Sequence, residues 1–170
     1  DSLVVTATEI SDAVKAVSPA LKKAITQAIQ NVDLFHTSQL RDEKTVGTMP
    51  GVFCWQRSIA IERIGIYIPG GSAPLFSSVI MLAVPARVAG CREVILCTPP
   101  RPDGTIDPAI LYTASVTGVT KIIKAGGIQA IAAMAYGTKS VPKVDKLFGP
   151  GNQWVTAAKQ MASKDGIAID

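Results

Sequence analysis

Hydrophobic and polar positions fall into two regimes along the chain. Up to about residue 36 the apolar residues recur at helical spacing. Ala13, Val14 and Val17 follow Thr8 and Ser11, either of which is the expected N-cap. Pro19 closes that helix or opens the next within its first turn. Leu21, Ala24, Ile25, Ala28, Ile29 and Val32 then repeat at i, i+3, i+4, i+7 and i+8, one face of an amphipathic helix. Residues 37–51 are polar, carry Gly47, Pro50 and Gly51, and read as a loop. Val52–Ile59 and Ala60–Ile64 read as short strands able to pair as a hairpin.

From Ile64 a regular alternation sets in. Strands are expected at Ile64–Ile68, Glu93–Cys97, Lys121–Lys124, Val144–Phe148 and from Ile167 onward. Helices are expected over Phe76–Ala89, from Pro108 to Gly118, from Gly126-Gly127 through Tyr136, and from Asn152 to about Ser163. Gly90 is the expected C-cap of the first of these. Strand, glycine-rich turn and helix in succession specify an α/β fold: a parallel Rossmann-like sheet with flanking helices, preceded by an N-terminal helical segment. The expected division is 1–62 for that segment and its short strands, as part of an incomplete domain, and 63–170 for the sheet domain. The apolar run Gly166-Ile-Ala-Ile-Asp170 reads as a strand begun, and the chain opens on Asp1 rather than Met, so a truncated piece of a longer protein is expected.

Composition sharpens this. Hydrophobic residues make up 48% and charged residues 18%, which is enough apolar material for a packed core. The net charge of +4 is scattered, without the basic stripe or stacking aromatics that nucleic acid requires. No run of apolar residues is long enough for a membrane span, since Pro85 and Arg87 interrupt the longest. Cys54, Cys91 and Cys97 form neither a disulfide framework nor a zinc motif, and reduced, inert thiols are expected.

The chemistry sits in three glycine loops. Tyr67-Ile-Pro-Gly-Gly-Ser-Ala-Pro74 follows a strand and precedes a helix; its glycines let backbone N–H groups approach an anion, and the helix N-terminus adds partial positive charge. Tyr67 is either a core-edge ring or a surface on which a base or ribose packs. In Ala125-Gly-Gly-Ile-Gln-Ala130, Gln129 either caps its own helix or bonds a ligand. In Phe148-Gly-Pro-Gly-Asn-Gln-Trp154, Asn152 is either an N-cap or a ligand donor. All three loops follow strands of one parallel sheet, so they should meet in a shared cleft at its carboxyl edge. His36, the lone histidine, suits a helix C-terminus. Asp103, Asp107, Asp145 and Asp165 are isolated carboxylates and read as structural. No complete catalytic constellation is present.

Two long runs carry a resemblance. Ile64-Gly-Ile-Tyr-Ile-Pro-Gly-Gly-Ser-Ala-Pro-Leu-Phe-Ser-Ser-Val-Ile-Met-Leu-Ala-Val-Pro-Ala-Arg-Val-Ala-Gly-Cys91 resembles the histidinol dehydrogenase family. So does Gly126-Gly-Ile-Gln-Ala-Ile-Ala-Ala-Met-Ala-Tyr-Gly-Thr-Lys-Ser-Val-Pro-Lys-Val-Asp-Lys-Leu-Phe-Gly-Pro-Gly-Asn152. The resemblance is close over residues 50–170 and looser over the N-terminal helices.

The resemblance implies a cytoplasmic, homodimeric, zinc-dependent oxidoreductase of histidine biosynthesis. Such an enzyme takes L-histidinol to L-histidine through histidinaldehyde, with NAD as oxidant in both steps. It implies NAD contacts at Tyr67, Gln129 and Asn152. It places the zinc ligands, the substrate-binding serine and the Glu–His acid/base pair beyond Asp170. This chain is then expected to carry cofactor-binding residues, no catalytic residue and no metal ligand, and to lack turnover alone. A non-catalytic nucleotide-binding α/β module is the alternative.

Overall fold

The computed structural model describes residues 3–71 and 73–170; Asp1, Ser2 and Ser72, the last in the first glycine loop, lie outside them. Helix α1 spans Ala7–Ala16 and starts from Thr6, not from Thr8 or Ser11. The reason is a reciprocal cap: the Glu9 N–H donates to Thr6 Oγ1 at 3.2 Å, and the Thr6 N–H donates to the Glu9 carboxylate at 2.9 Å. Helix α2 (Pro19–Thr37) opens on Pro19 behind a Ser18 cap, which settles the two roles open to that proline. His36 stands in its last turn, its ring nitrogen 2.8 Å from Gln39 Oε1.

The polar stretch is not all loop. Strand β1 (Thr45–Met49) lies within it and pairs antiparallel with β2 (Val52–Trp55) across Pro50-Gly51, where Gly51 adopts φ +78°. The hairpin thus exists but is displaced toward the N-terminus. Residues 56–62 form no strand, and Arg63 already belongs to the main sheet. Both hairpin strands are exposed on both faces, so no alternation marked their register.

The main sheet collects β3 (Arg63–Tyr67), β4 (Glu93–Thr98), β5 (Lys121–Lys124), β6 (Lys146–Phe148) and β7 (Ala168–Ile169) in the order β5-β4-β3-β6-β7. Every pairing in it is parallel. Between the strands run α3 (Phe76–Val88), α4 (Pro108–Thr117), α5 (Gly127–Tyr136) and α6 (Gln153–Lys164). The expected α/β class therefore holds. The C-cap of α3 is Ala89, and Gly90 takes the left-handed position one residue later. Strand β6 is shorter than its apolar run suggests. Val144 instead donates to the Met134 carbonyl at 2.9 Å, and Asp145 accepts the Arg63 N–H at 3.0 Å.

Alternate residues of each strand face opposite layers. Ile64, Ile66, Val94, Leu96 and Ile122 meet α3, α4 and α1; Tyr67, Ile95, Cys97, Ile123 and Leu147 meet α5 and α6. A third cluster joins α2 to the outer side of α3 through Ile25, Ile80 and Val84. Helix α3 is thus covered on both sides, which is why its sequence is apolar all round. The free edge of β5 is partly masked by the N-terminal segment, with the Lys124 N–H donating to the Leu3 carbonyl at 2.8 Å. No helix among the described residues is long and apolar enough to cross a membrane.

A candidate ligand cleft at the carboxyl edge of the sheet

The chain builds the sheet outward from β3 through β4 to β5, then crosses back to add β6 on the other side of β3. Strands β3 and β6 therefore flank the point where the winding reverses, and the loops leaving them diverge there. Such a point is where open parallel sheets bind ligands. The register is fixed by Ile66 opposite Phe148, which puts Tyr67 beside Gly149.

Glycine lets these loops close on one another. A Cβ at Gly70 would stand 2.7 Å from Pro99, and one at Gly126 would stand 2.5 Å from the same proline. Pro99, just past β4, is thus held between the first and second glycine loops. Gly149 has φ +124°, and a Cβ there would overlap the Tyr67 carbonyl oxygen. The glycines singled out in the sequence meet at one edge of the sheet.

The cleft they enclose has a volume of about 660 Å³ and is lined by Tyr67, Gly70, Pro99, Arg101, Gly127 and Asn152 among others. Tyr67 is 4% exposed. Its hydroxyl accepts the Gly127 N–H at 3.0 Å, tying the end of β3 to the first turn of α5. The ring is both part of the core and part of the cleft wall, so the two readings of Tyr67 are compatible. Asn152 likewise has two faces. Its Oδ1 accepts the N–H groups of Trp154 and Val155, each at 3.1 Å, so it is the N-cap of α6; the side chain is nonetheless exposed and borders the cleft. Gln129 stands apart. It is exposed in the first turn of α5 and is not among the residues that line the cleft.

Helices α3 and α5 begin without a side-chain cap, at Leu75 and Gly126. Apart from the Gly127 N–H, which the Tyr67 hydroxyl accepts, their first-turn N–H groups suit an anionic ligand. The third loop is braced from behind. The Lys159 ammonium donates to the Gly149 carbonyl at 3.1 Å and pairs with Asp170, whose other oxygen accepts the Gly149 N–H at 2.9 Å. Burial works to raise the Asp170 carboxyl, yet the Gly149 N–H and the Lys159 charge hold it below the usual carboxylate range. Next to Tyr67 across the sheet, Cys97 is fully buried, and that burial pushes its thiol up to about 12. It is therefore not a nucleophile.

The second βα loop escaped sequence analysis as a cleft wall. Pro99, Pro100 and Arg101 line the cleft, and Asp107 joins them while capping α4 through the Ala109 N–H at 2.8 Å. Its position after β4 was the available signal, because every βα loop of a parallel sheet opens on the same edge. The other carboxylates are structural: Asp103 accepts from Thr105, Asp145 from Arg63, and Asp165 from the Tyr136 hydroxyl at 2.6 Å. A separate concavity of about 600 Å³ lies against the hairpin, lined by Arg41, Asp42, Lys44 and Trp55, and has no glycine loop. The described residues contain no group of three or more His, Cys, Asp or Glu able to hold a metal ion.

This architecture defines a doubly wound α/β protein with a cleft at its topological switch point. The chain belongs to the histidinol dehydrogenase family, whose sequence profile matches residues 1–170. It is similar to the histidinol dehydrogenase of Bacteroides thetaiotaomicron, at 62% identity over 169 residues, which is 99% of this chain and 40% of that protein. It is 52% identical over 168 residues to the enzyme of Xanthomonas campestris pv. campestris, again 99% of this chain and 39% of that protein. The crystal structure of histidinol dehydrogenase from Elizabethkingia anophelis superposes with a TM-score of 0.97 at 54% identity, over 99% of this chain and 39% of that one. The chain thus spans about 40% of the length of the curated relatives it matches. The family is one of oxidoreductases.

Proposed function

We propose that this chain is the dinucleotide-binding portion, residues 63–170 with their N-terminal helical support, of an NAD-dependent enzyme that oxidises L-histidinol to L-histidine through histidinaldehyde. One observation carries the reading. Tyr67, Asn152 and all three glycine loops converge on one cleft, in a chain that matches the family over its whole length.

The residues present fit a dinucleotide. The cleft volume suits a large cofactor. The uncapped start of α3, and that of α5 beyond the Gly127 N–H held by Tyr67, supply donors for phosphate oxygens. Tyr67 and Pro99 give flat apolar walls for a ring, and Asn152 presents an amide at the start of α6. Gln129, in the first turn of α5, would reach a cofactor extending past the cleft mouth. When bound, NAD supplies the hydride acceptor; the protein's part here is to bind it, orient it and shield it from water. The described residues do not form a zinc site, and metal ligands and the acid/base pair would come from outside them. Exposed Phe53, Trp55, Ile59 and Met81 support burial against a further surface, in keeping with a homodimer. A cytoplasmic location accords with the reduced cysteines.

The test is kinetic. The protein as its gene encodes it should reduce NAD in the presence of L-histidinol and zinc, whereas these 170 residues alone should bind NAD without turnover. Turnover by the pure 170-residue chain, or its absence from the protein its gene encodes, overturns the reading.

A further inference from the structure

The cleft has a cation whose role the family reading leaves unassigned. Among the described residues that line it, Arg101 is the sole Lys or Arg, and Asp107 the sole carboxylate. Arg101 stands three residues past the end of β4, the second strand of the unit that starts at β3. In dinucleotide-binding folds an acid at about this place accepts the ribose 2′-hydroxyl, or an arginine meets a 2′-phosphate. Here β4 runs out through Thr98-Pro99-Pro100-Arg101, without an acid.

Asp107 does not fill that place, because both of its oxygens are used. One accepts the Ala109 N–H at 2.8 Å, and the other pairs with the Arg101 guanidinium. The same contact positions Arg101. Its backbone is also fixed, with its N–H donating to the Thr105 carbonyl at 2.7 Å and its carbonyl accepting the Gly104 N–H at 2.9 Å. Asp103 braces that turn through Thr105. The side chain remains 52% exposed, and its planar guanidinium fork has donors beyond the one given to Asp107. Arg101 also borders a neighbouring groove that holds Glu9 and Asp12, but those acids have partners of their own in Lys124 and Lys15.

We propose that Arg101 is the residue that meets a phosphate group of the dinucleotide in this cleft, a proposal that rests on the dinucleotide reading above. Two phosphates have the required chemistry: the pyrophosphate, common to NAD and NADP, and the 2′-phosphate, found only in NADP. A loop held on both sides by backbone hydrogen bonds, with its arginine anchored by a capping aspartate, presents a charge to either with little ordering cost.

The experiment is equilibrium titration of NADH, NADPH and adenosine into the protein as its gene encodes it, and into its Arg101→Gln and Arg101→Lys variants, with melting temperatures taken in parallel. Arg101→Gln should weaken a phosphate-bearing ligand about ten-fold, Arg101→Lys less, and adenosine should be unmoved. Equal weakening of NADH and NADPH assigns the pyrophosphate; weakening of NADPH alone assigns the 2′-phosphate. Dinucleotide affinities unchanged by Arg101→Gln overturn the role of Arg101 and leave the cleft standing. A parallel fall in adenosine affinity shows a loop-shape effect and also overturns it. Failure of every dinucleotide to bind the unaltered protein removes the cleft reading and this proposal together.

Discussion

The Tyr67 hydroxyl accepts the Gly127 N–H at 3.0 Å, so one hydrogen bond joins the last residue of β3 to the first residue of α5. Tyr67→Phe keeps the ring and deletes the acceptor. A partly buried N–H left without a partner costs about 1–3 kcal/mol. For a chain of this size that is a fall in melting temperature of roughly 2–4 °C per kcal/mol. NAD affinity should fall by less than with Tyr67→Ala, which also removes the wall. Calorimetry and NAD titration on the two variants separate the bond from the surface.

Asn152 both caps α6 and borders the cleft, and two substitutions divide those roles. Asn152→Ala should cost about 1 kcal/mol of stability through the lost cap. Asn152→Asp keeps an oxygen for Trp154 and Val155 but removes the amide donor. It should melt at or above the parent temperature while binding NAD more weakly. An Asp variant with full NAD affinity shows that the amide has no ligand to bond.

Gly149→Ala should be the most disruptive single substitution in the cleft. It sets a Cβ against the Tyr67 carbonyl at a φ that L-residues rarely adopt. Strain and overlap together should cost on the order of 3 kcal/mol or more. Urea unfolding measures this directly, and a midpoint within error of the parent contradicts the close approach of β3 and the third loop.

The Asp170 carboxyl lies below its ordinary range in the folded state because the Gly149 N–H and Lys159 outweigh burial. A group held low in the folded chain contributes stability above its unfolded pKa. That contribution is lost as pH falls through the lower, folded value. Urea midpoints should therefore drop on acidification below the ordinary aspartate range, and Asp170→Asn should flatten part of that drop. A variant with an unchanged acid limb removes Asp170 from the linkage.

Thiol reactivity follows burial. Cys54 is exposed, while Cys97 is buried with its thiol raised to about 12. Iodoacetamide at neutral pH should label Cys54 first and reach Cys97 only after denaturation, as peptide mass spectrometry would record. Early labelling of Cys97 would mean that the sheet opens beside the cleft.

The parallel sheet was legible because the strand–loop–helix unit repeats a local signal, and the glycines at 70, 126 and 149 mark close approaches, to Pro99 and to the Tyr67 carbonyl, that leave no room for a Cβ. The hairpin register was not legible, since Thr45–Met49 and Val52–Trp55 are exposed on both faces and carry no period. The start of α1 was missed although its signal is in the sequence: of Thr6, Thr8 and Ser11, only Thr6 has a glutamate three residues on, at the spacing of a reciprocal cap. In the site, Tyr67 and Asn152 were fixed by their place at strand and helix ends. For Gln129, sequence gave the correct turn of α5, but which side of that turn faces the cleft depends on helix phase, set by packing of Ala130, Ile131 and Met134. Arg101 was passed over because its loop is proline-rich and the loop's one glycine, Gly104, does not line the cleft.

The reversal of winding has a consequence for the order of assembly. Strands β3, β4 and β5 are built from consecutive stretches of chain, so their half of the sheet closes from near neighbours. Strand β6 must return past both of them to pair with β3, with Gly65 meeting Leu147 across nearly half the chain. Contacts between distant residues carry a loop-closure cost and form late. As the chain emerges in synthesis, the wall made by Tyr67 and Pro99 can stand while the facing wall of Gly149 and Asn152 has not yet been made. The cleft is therefore a mark of completion: only a sheet folded through β6 has both of its walls.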